Sequence, residues 1–555
     1  MSTGFDKEIP GAETPSHEAH LHLDSTIGVQ GSDGVVIAKA AGVVGAATLF
    51  SRVLGAVRDI AIASFFGTGL ISDAFIAAFR IPNLLRRMFG EGSLSIVFVP
   101  AYTECLYHQG RTEADRLAGS AARFLAACLL TAALAGMAAA PLLVHILAPG
   151  FADSVEKFDL TVSLTRTMFP YIFFIGLVAL CMALLNVLGH FAAPALAPVC
   201  LNVSMIAAIA VGSLWVDSQQ ELVYWLAVGV VVGGALQLGL QLPFLLKNRI
   251  LLWRPAPWWH PAFKQIGAML TPVLCGAAVY QINNLVITIL ASMLHQGSIS
   301  YLYYADRLLQ FPLGIFGIAA ATAALPTLAR QAVMQRYDAM RHTFNEAIRL
   351  VLFVTLPAMA GLIVLREPII AMLFQRGAFD LDSTRLTASA LLYYSIGLWA
   401  FSAVRVVLNV FYALKDTRTP LKIAFLTIAA NLILGLALMG PMRHDGLALA
   451  FTLASMLNIG LLGFALRKRL GTIGGRSIAL SALRSSVCAA GMAAGVWITA
   501  RWLLPHDPKA GVALLPGLLG CILIGAAMFG VLARILGMPE LQTLMYIIRR
   551  RSPQA

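Results

Sequence analysis

The sequence predicts an all-α polytopic membrane protein of about fourteen transmembrane helices, arranged as two parallel-related six-helix lobes with two helices added at the C-terminal end. Three observations carry that expectation. Hydrophobic residues make up 59% of the 555 and charged residues 12%, with a mean hydropathy of +0.80, a balance foreign to soluble globules of this length. Apolar runs long enough to cross a bilayer follow one another from Val35 almost to the end of the chain. Landmarks of the first half return in the second at a shift of roughly 226 residues, about six spans.

Residues 1–34 are polar, carry His17, His20 and His22, and lack the apolar core of a signal peptide, so they read as a disordered cytoplasmic extension. Three histidines on a flexible segment without further ligands make a poor metal site, and neither metal nor cofactor is expected. The expected spans are 35–66, 71–106, 118–147, 160–188, 194–215, 222–246, 263–294, 298–329, 345–370, 386–413, 419–440, 445–466, 479–504 and 511–537. They group into a first lobe at 35–246, a second at 247–470, a C-terminal helix pair at 471–538 and a basic cytoplasmic tail at 539–555.

Loop charge sets the orientation. Arg111, Arg116 and Arg123, then Lys247, Arg249, Arg254 and Lys264, then Arg330, Arg336 and Arg341, then Lys415, Arg418 and Lys422, then Arg467, Lys468, Arg469 and Arg476 fall on one side. The opposite loops at Gly67–Gly69, Val216–Glu221 and His295–Ser298 have no Lys or Arg, while Lys157, Arg366, Arg376, Arg385, Arg443, Arg501 and Lys509 run against the bias. Both termini are expected in the cytoplasm. The formal net charge of +13 then reflects orientation and contact with anionic lipid, not nucleic-acid binding. Seven cysteines without CxxC spacing read as small core residues.

The repeat rests on short echoes with a common offset. LLNVLGHFAAP (Leu184–Pro194) returns as VLNVFYALKDTRTP (Val407–Pro420), AFR at Ala78–Arg80 as ADR at Ala305–Arg307, and Pro100 as Pro326. An even number of spans per copy makes the copies parallel.

Charge inside the spans carries the functional reading. Arg52, Arg58, Asp59, Asp73, Arg80, Arg86, Arg87 and Glu91 lie within Ser51–Glu91, and an ionisable group at that depth is costly unless it meets a partner or water. The competing reading is a set of helix-to-helix salt bridges, which the excess of arginine over acid leaves incomplete. Along the second span Asp73, Arg80, Arg87 and Glu91 share one face with Asn83 nearby, and in the eighth Tyr303, Asp306, Arg307 and Gln310 do the same. At 1.5 Å per residue, Arg58, Arg80 and Arg307 each lie about 13 Å in from the outer end of their span. With Arg405 in the tenth span there are seven arginines against Asp59, Asp73, Glu91 and Asp306, which suits a phosphate-bearing ligand and argues against a cationic drug. An enzyme acting on polyprenyl phosphates would need clustered carboxylates for Mg²⁺ or a nucleophile with its base, and the sequence offers neither.

SRVLGAVRD (Ser51–Asp59), SDAF (Ser72–Phe75), FRIPNLLRRMFGEG (Phe79–Gly92), APGF (Ala148–Phe151), YYADRLLQFP (Tyr303–Pro312) and LPTLAR (Leu325–Arg330) resemble the signatures of the MurJ/MviN lipid II flippase family of the MOP transporter superfamily, from about Val35 onward. The resemblance implies a transporter and no enzyme: alternating access would carry lipid II, the undecaprenyl-diphosphate-linked peptidoglycan precursor, to the periplasmic leaflet. It implies a central cationic cavity and a C-terminal groove for the polyprenyl tail. Arg58 and Arg307 would take the diphosphate and Arg52 the sugar or diphosphate, with Arg80, Asn83, Arg86, Arg87 and Arg405 as further substrate contacts. Asp59, Asp73, Glu91 and Asp306 would form gating pairs. Partners would be lipid II, membrane lipids and other cell-wall synthesis proteins. Asn283 and Asn284 on the seventh span bring no carboxylate, so membrane potential is a simpler drive than sodium. A related superfamily member that flips an O-antigen-type glycan or exports drugs is the alternative.

Overall fold

The computed structural model describes residues 33–90, 93–252, 256–314, 318–505 and 511–550. Every regular element among them is helical. In chain order these are α1 (Asp33–Phe66), α2 (Leu70–Gly90), α3 (Ser93–His108), α4 (Arg111–Ala138), α5 (Ala140–Leu147), α6 (Val155–Met168), α7 (Tyr171–Val187), α8 (Ala192–Gly212), α9 (Gln219–Lys247), α10 (Ala262–Ser292), α11 (Ser298–Pro312), α12 (Ile318–Val333), α13 (Tyr337–Phe374), α14 (Leu381–Ile396), α15 (Leu398–Ala413), α16 (Arg418–Leu470), α17 (Gly475–Leu503), α18 (Leu515–Ile535) and α19 (Pro539–Arg550).

Helices are the expected answer to a lipid solvent, because each one satisfies its own backbone donors and acceptors where no water can. Their starts carry the expected signals: the side chains of Ser154, Ser218 and Asp380 accept from the backbone N–H groups of Lys157, Glu221 and Ser383. Among the described residues eight helices are long and apolar enough to span a bilayer, and nine if α14 and α15, bent by 42°, count as one span. The charged elements fall outside that set for a plain reason: α1 carries Arg52, Arg58 and Asp59, and α2 carries Asp73, Arg80, Arg86 and Arg87.

Several spans expected as single rods are broken. The segment 71–106 is two helices, α2 and α3. α4 and α5 divide 118–147 just before Pro141, and α6 and α7 divide 160–188 near Pro170. α16 is continuous in hydrogen bonding yet has one non-helical residue, Arg443 at φ 51°, between the two segments read separately in the sequence.

The largest apolar core joins the two halves of the chain, with Ile62, Phe75, Leu164 and Tyr171 packed in one cluster with Leu290, Tyr304, Phe374 and Leu391. A second core around Phe98, Tyr102, Leu117 and Leu184 belongs to the first half, and a third around Phe344, Val406, Phe411 and Leu466 to the second. Phe353, Met492 and Phe529 hold α17 and α18 against α13.

Candidate functional site

The site begins with Arg58 and Asp59, adjacent on α1 and both buried. Burial of two charges is tolerable only with good geometry and further hydrogen bonds. Both conditions are met: Arg58 donates to Asp59 Oδ1 from Nε at 3.0 Å and from Nη2 at 2.7 Å, and from Nη1 to Asn202 Oδ1 on α8 at 3.0 Å. Asn202 is fixed in turn by donating to the Ser51 carbonyl at 3.0 Å.

The same carboxylate reaches into the second half. Arg307 Nε on α11 lies 3.3 Å from Asp59 Oδ2, Tyr303 donates to Oδ1 at 3.2 Å, and Arg307 Nη2 donates to the Tyr303 hydroxyl at 2.9 Å. One turn of helix separates Tyr303 from Arg307, which is why the guanidinium also lies over the Tyr303 ring, 4.8 Å from its centroid. Two arginines therefore share one aspartate, and the cluster keeps a positive charge inside the bundle. Arg307 Nε faces Asp59 Oδ2 without a well-formed hydrogen bond among the described residues.

Fourteen residues beyond Asp59, Asp73 closes the end of the bundle where α1 stops and α2 begins. Its side chain is 1% exposed and takes four donors: Lys157 Nζ at 2.8 Å, Gly297 N at 2.8 Å, Ser300 N at 3.0 Å and Ser300 Oγ at 2.7 Å. Gly297 and Ser300 open α11, so a carboxylate from α2 caps a helix of the other half. Around it Ser64 accepts from the Ala378 N–H at 2.8 Å, Thr68 meets Ser383 at 2.5 Å, and the Gly150 N–H donates to Ser292 Oγ at 3.3 Å. Gly67 turns at φ +60° hard against the Ala378 carbonyl, where a Cβ would not fit.

Deeper along α2, Arg80 Nε donates to Thr288 Oγ1 on α10 at 2.9 Å. Arg80, Asn83 and Arg87 line a cleft opposite Gln281 and Asn284 of α10, so the polar face of α2 is turned toward the second half. The buried Nε of Arg87 has no partner among the described residues. Arg86 belongs to a different arrangement: its Nε and Nη2 both donate to Asn83 Oδ1 at 3.1 Å, a pairing along the helix.

The remaining candidates divide. Arg52 packs its guanidinium against Gly314, where α11 ends, without a hydrogen bond or ion pair among the described residues. Asp306 accepts from Gln310 Nε2 at 2.7 Å within its own helix. Arg405 is half-buried on α15 and makes no bond to the cluster. Arg80, expected level with Arg58 and Arg307, is bonded to neither. Glu91 and His17, His20 and His22 lie outside the described residues. Among the described residues no three His, Cys, Asp or Glu side chains group as metal ligands.

Lys157, Asn202 and Ser300 complete the two networks and were not among the sequence candidates, whereas Tyr303 is the residue that helical spacing puts on the face of Arg307. Lys157 had a signal: it stood against the loop-charge bias just beyond the APGF motif, and its ammonium lies 4.1 Å from the centroid of Phe151 in that motif. A further pairing repeats the Arg58–Asn202 bond, because Asn431 on α16 donates to Asn283 on α10 at 2.8 Å, each residue standing close to the repeat offset from its counterpart.

The sequence and fold of the chain match known proteins. Residues 62–509 match the family model described as lipid II flippase MurJ. A Vibrio cholerae protein called probable lipid II flippase MurJ is 40% identical over 429 residues, covering 76% of this chain and 81% of its own. A Burkholderia cenocepacia protein called lipid II flippase MurJ is 36% identical over 436 residues, covering 76% and 82%. Among solved structures, a lipid II flippase MurJ in an inward closed conformation superposes with a TM-score of 0.76 at 26% identity, covering 89% of this chain and 99% of that one. An inward-facing multidrug resistance MATE transporter of the MOP superfamily shares the fold, with a TM-score of 0.65 at 15% identity over 78% of this chain and 98% of its own. With most of its length matched, the chain belongs to the MurJ lipid II flippase family, a family of transporters.

Proposed function

We propose that the protein flips lipid II from the cytoplasmic to the periplasmic leaflet of the bacterial inner membrane, with the diphosphate held by Arg58 and Arg307. The observation that carries this is the buried cluster in which two guanidiniums share Asp59. A diphosphate offers oxygens to both forks at once, and a guanidinium stays charged at any biological pH. Arg80, Asn83 and Arg87, lining the cleft against α10, would contact the rest of the headgroup, together with Arg52 and Arg86. Arg405 would have to join them through a movement of α15.

In this reading the helices form fourteen spans, the broken pairs counting once each and α16 twice. Residues 35–246 and 247–470 are parallel-related lobes, 471–538 a helix pair that shelters the polyprenyl tail, and both termini are cytoplasmic. The echoed Arg58–Asn202 and Asn283–Asn431 bonds support the repeat. Asp73, Lys157 and Ser300 seal the periplasmic end, so the headgroup enters from the cytoplasmic side, and release requires those bonds to part. Asp59 links α1 to α11 and is the second gating carboxylate, with Glu91 and Asp306 as further candidates. Lipid II and membrane lipids are the ligands, and other cell-wall synthesis proteins are the partners this role implies.

The test is the leaflet location of lipid II in cells depleted of the protein, read by cleavage with an externally added lipid II-degrading toxin. Loss of cleavage while precursor accumulates supports the proposal. Unchanged cleavage in cells with no second flippase refutes it and favours a different polyprenyl-linked glycan.

A further inference from the structure

A second pocket lies far from the arginine cluster, between the start of α17, the middle of α13 and the first turn of α19. It has a volume of about 160 Å³ and is lined by Arg349, Ser477, Leu480, Ser481, Arg484, Met538, Pro539 and Glu540. One water occupies about 30 Å³, so the space suits a ligand of several heavy atoms.

Its polar groups are arranged unevenly. Glu540 is 5% exposed, and all its donors converge on one oxygen: Ser481 Oγ at 2.6 Å, Arg349 Nε at 2.7 Å and Arg349 Nη2 at 2.7 Å all meet Oε1. The other oxygen, Oε2, is buried and has no partner among the described residues. A buried carboxylate oxygen of that kind calls for a donor. Arg349 keeps its remaining N–H groups free, since two of five are committed to Glu540. Arg484 is exposed at the rim and makes no ion pair among the described residues. The pocket thus brings a carboxylate oxygen without a donor and the side chains of Arg349 and Arg484 into one lining. Ser477 and Ser481 stand in the first two turns of α17, at the end of an apolar span, which is the level of lipid headgroups.

We infer that this pocket binds a phospholipid headgroup bearing both a phosphate and a primary ammonium, of the phosphatidylethanolamine type. The ammonium donates to Glu540 Oε2, and the phosphate lies against Arg484 and the free edge of Arg349. A phosphatidylglycerol headgroup lacks the ammonium, and a phosphatidylcholine headgroup has a quaternary nitrogen without an N–H to donate. The site goes beyond the transport reading and uses none of the residues assigned there to the headgroup or the gates, although it lies at the edge of the helix pair assigned to the polyprenyl tail.

The experiment titrates the delipidated full-length protein in detergent with short-chain phosphatidylethanolamine, phosphatidylglycerol and phosphatidylcholine, reading bound lipid by native mass spectrometry. One charge-assisted hydrogen bond corresponds to about tenfold in affinity, so the ethanolamine lipid is expected to bind about tenfold tighter than the other two. Glu540→Gln should remove that preference. Arg484→Met, which leaves the Glu540–Arg349 pair untouched, should weaken all three lipids together, with thermal unfolding as the folding control for both variants. Equal binding of the three lipids, a preference that survives Glu540→Gln, or binding indifferent to Arg484→Met would overturn the assignment. Soluble O-phosphoethanolamine binding as tightly as the lipid would overturn the lipid as its source. Lipid binding is read without transport, so failure here leaves the flippase reading standing, and failure of flipping leaves this site standing.

Discussion

Replacing Asp73 with Ala should open the end of the bundle that Asp73 now closes. The substitution removes the partner of Lys157, whose side chain is 10% exposed, and leaves the Gly297 and Ser300 N–H groups without their acceptor. Breaking a buried ion pair by deleting one member costs about 3–5 kcal/mol, and losing a helix cap costs about 1 kcal/mol. At the lower end these losses come to about 4 kcal/mol, which moves the balance between closed and open states by roughly three orders of magnitude. The assay is disulfide cross-linking of Thr68→Cys with Ser383→Cys, whose parent hydroxyls are 2.5 Å apart, in a background with the exposed Cys128 replaced by Ser. Cross-linking should slow at least tenfold with Asp73→Ala and recover in part when Lys157→Met removes the stranded charge. An unchanged rate in the Asp73→Ala protein would refute the view that this carboxylate holds the two halves together.

Further outcomes can be checked separately. Arg307→Ala should abolish lipid II flipping while the protein still reaches the membrane, and growth with that variant as the sole copy would refute the arginine assignment. Arg307→Lys should fail as well, because an ammonium lacks the planar fork that faces Asp59 and Tyr303 and still has N–H groups for a diphosphate. Arg405→Ala should reduce complementation far less than Arg307→Ala, given its separation from the cluster. Gly150→Ala should loosen the same closure as Asp73→Ala, since a Cβ there collides with the backbone of Ser292 and Met293, and faster labelling of a nearby cysteine would report it. Asp380 caps α14, and hydrogen bonds from the Ser383 hydroxyl and N–H hold its carboxyl below the usual range. A lowered native pKa gives stability that is present at neutral pH and lost as acidification passes through the lowered value. Asp380→Ala should therefore lower the melting temperature at pH 7 by an amount equivalent to about 1 kcal/mol, with the difference shrinking toward pH 3.

Much of the site was legible because a charge inside an apolar run is conspicuous. Arg58, Asp59, Asp73 and Arg307 stood out for that reason, and all four lie in the two networks that join the halves. Helical spacing also placed Tyr303 on the face of Arg307 and turned the stripe on α2 toward α10. Spacing could not say which neighbour a flexible guanidinium would choose, so Arg86 turned to Asn83 on its own helix while Arg80 crossed to Thr288. Asn202 carries no charge and sits among apolar residues, so nothing in one dimension marked it as the third group around Arg58. Lys157 was read as an irregularity of loop charge because its acid lies 84 residues away in the chain. The breaks in the rods were hidden for another reason: an apolar run continues across a helix end as readily as through a helix.

The sharing of Asp59 between two arginines has a consequence for the unloaded carrier. A transporter that moves its cargo one way must come back empty, and bare guanidiniums facing each other across a closing cavity would resist that return. Asp59 remains with the protein in both directions and neutralises one of the two charges, so the vacant site crosses with a smaller charge than its arginine count suggests. Asp59→Asn should thus slow the recovery of the empty protein more than it slows the first delivery, a difference that single-turnover and steady-state flipping would separate.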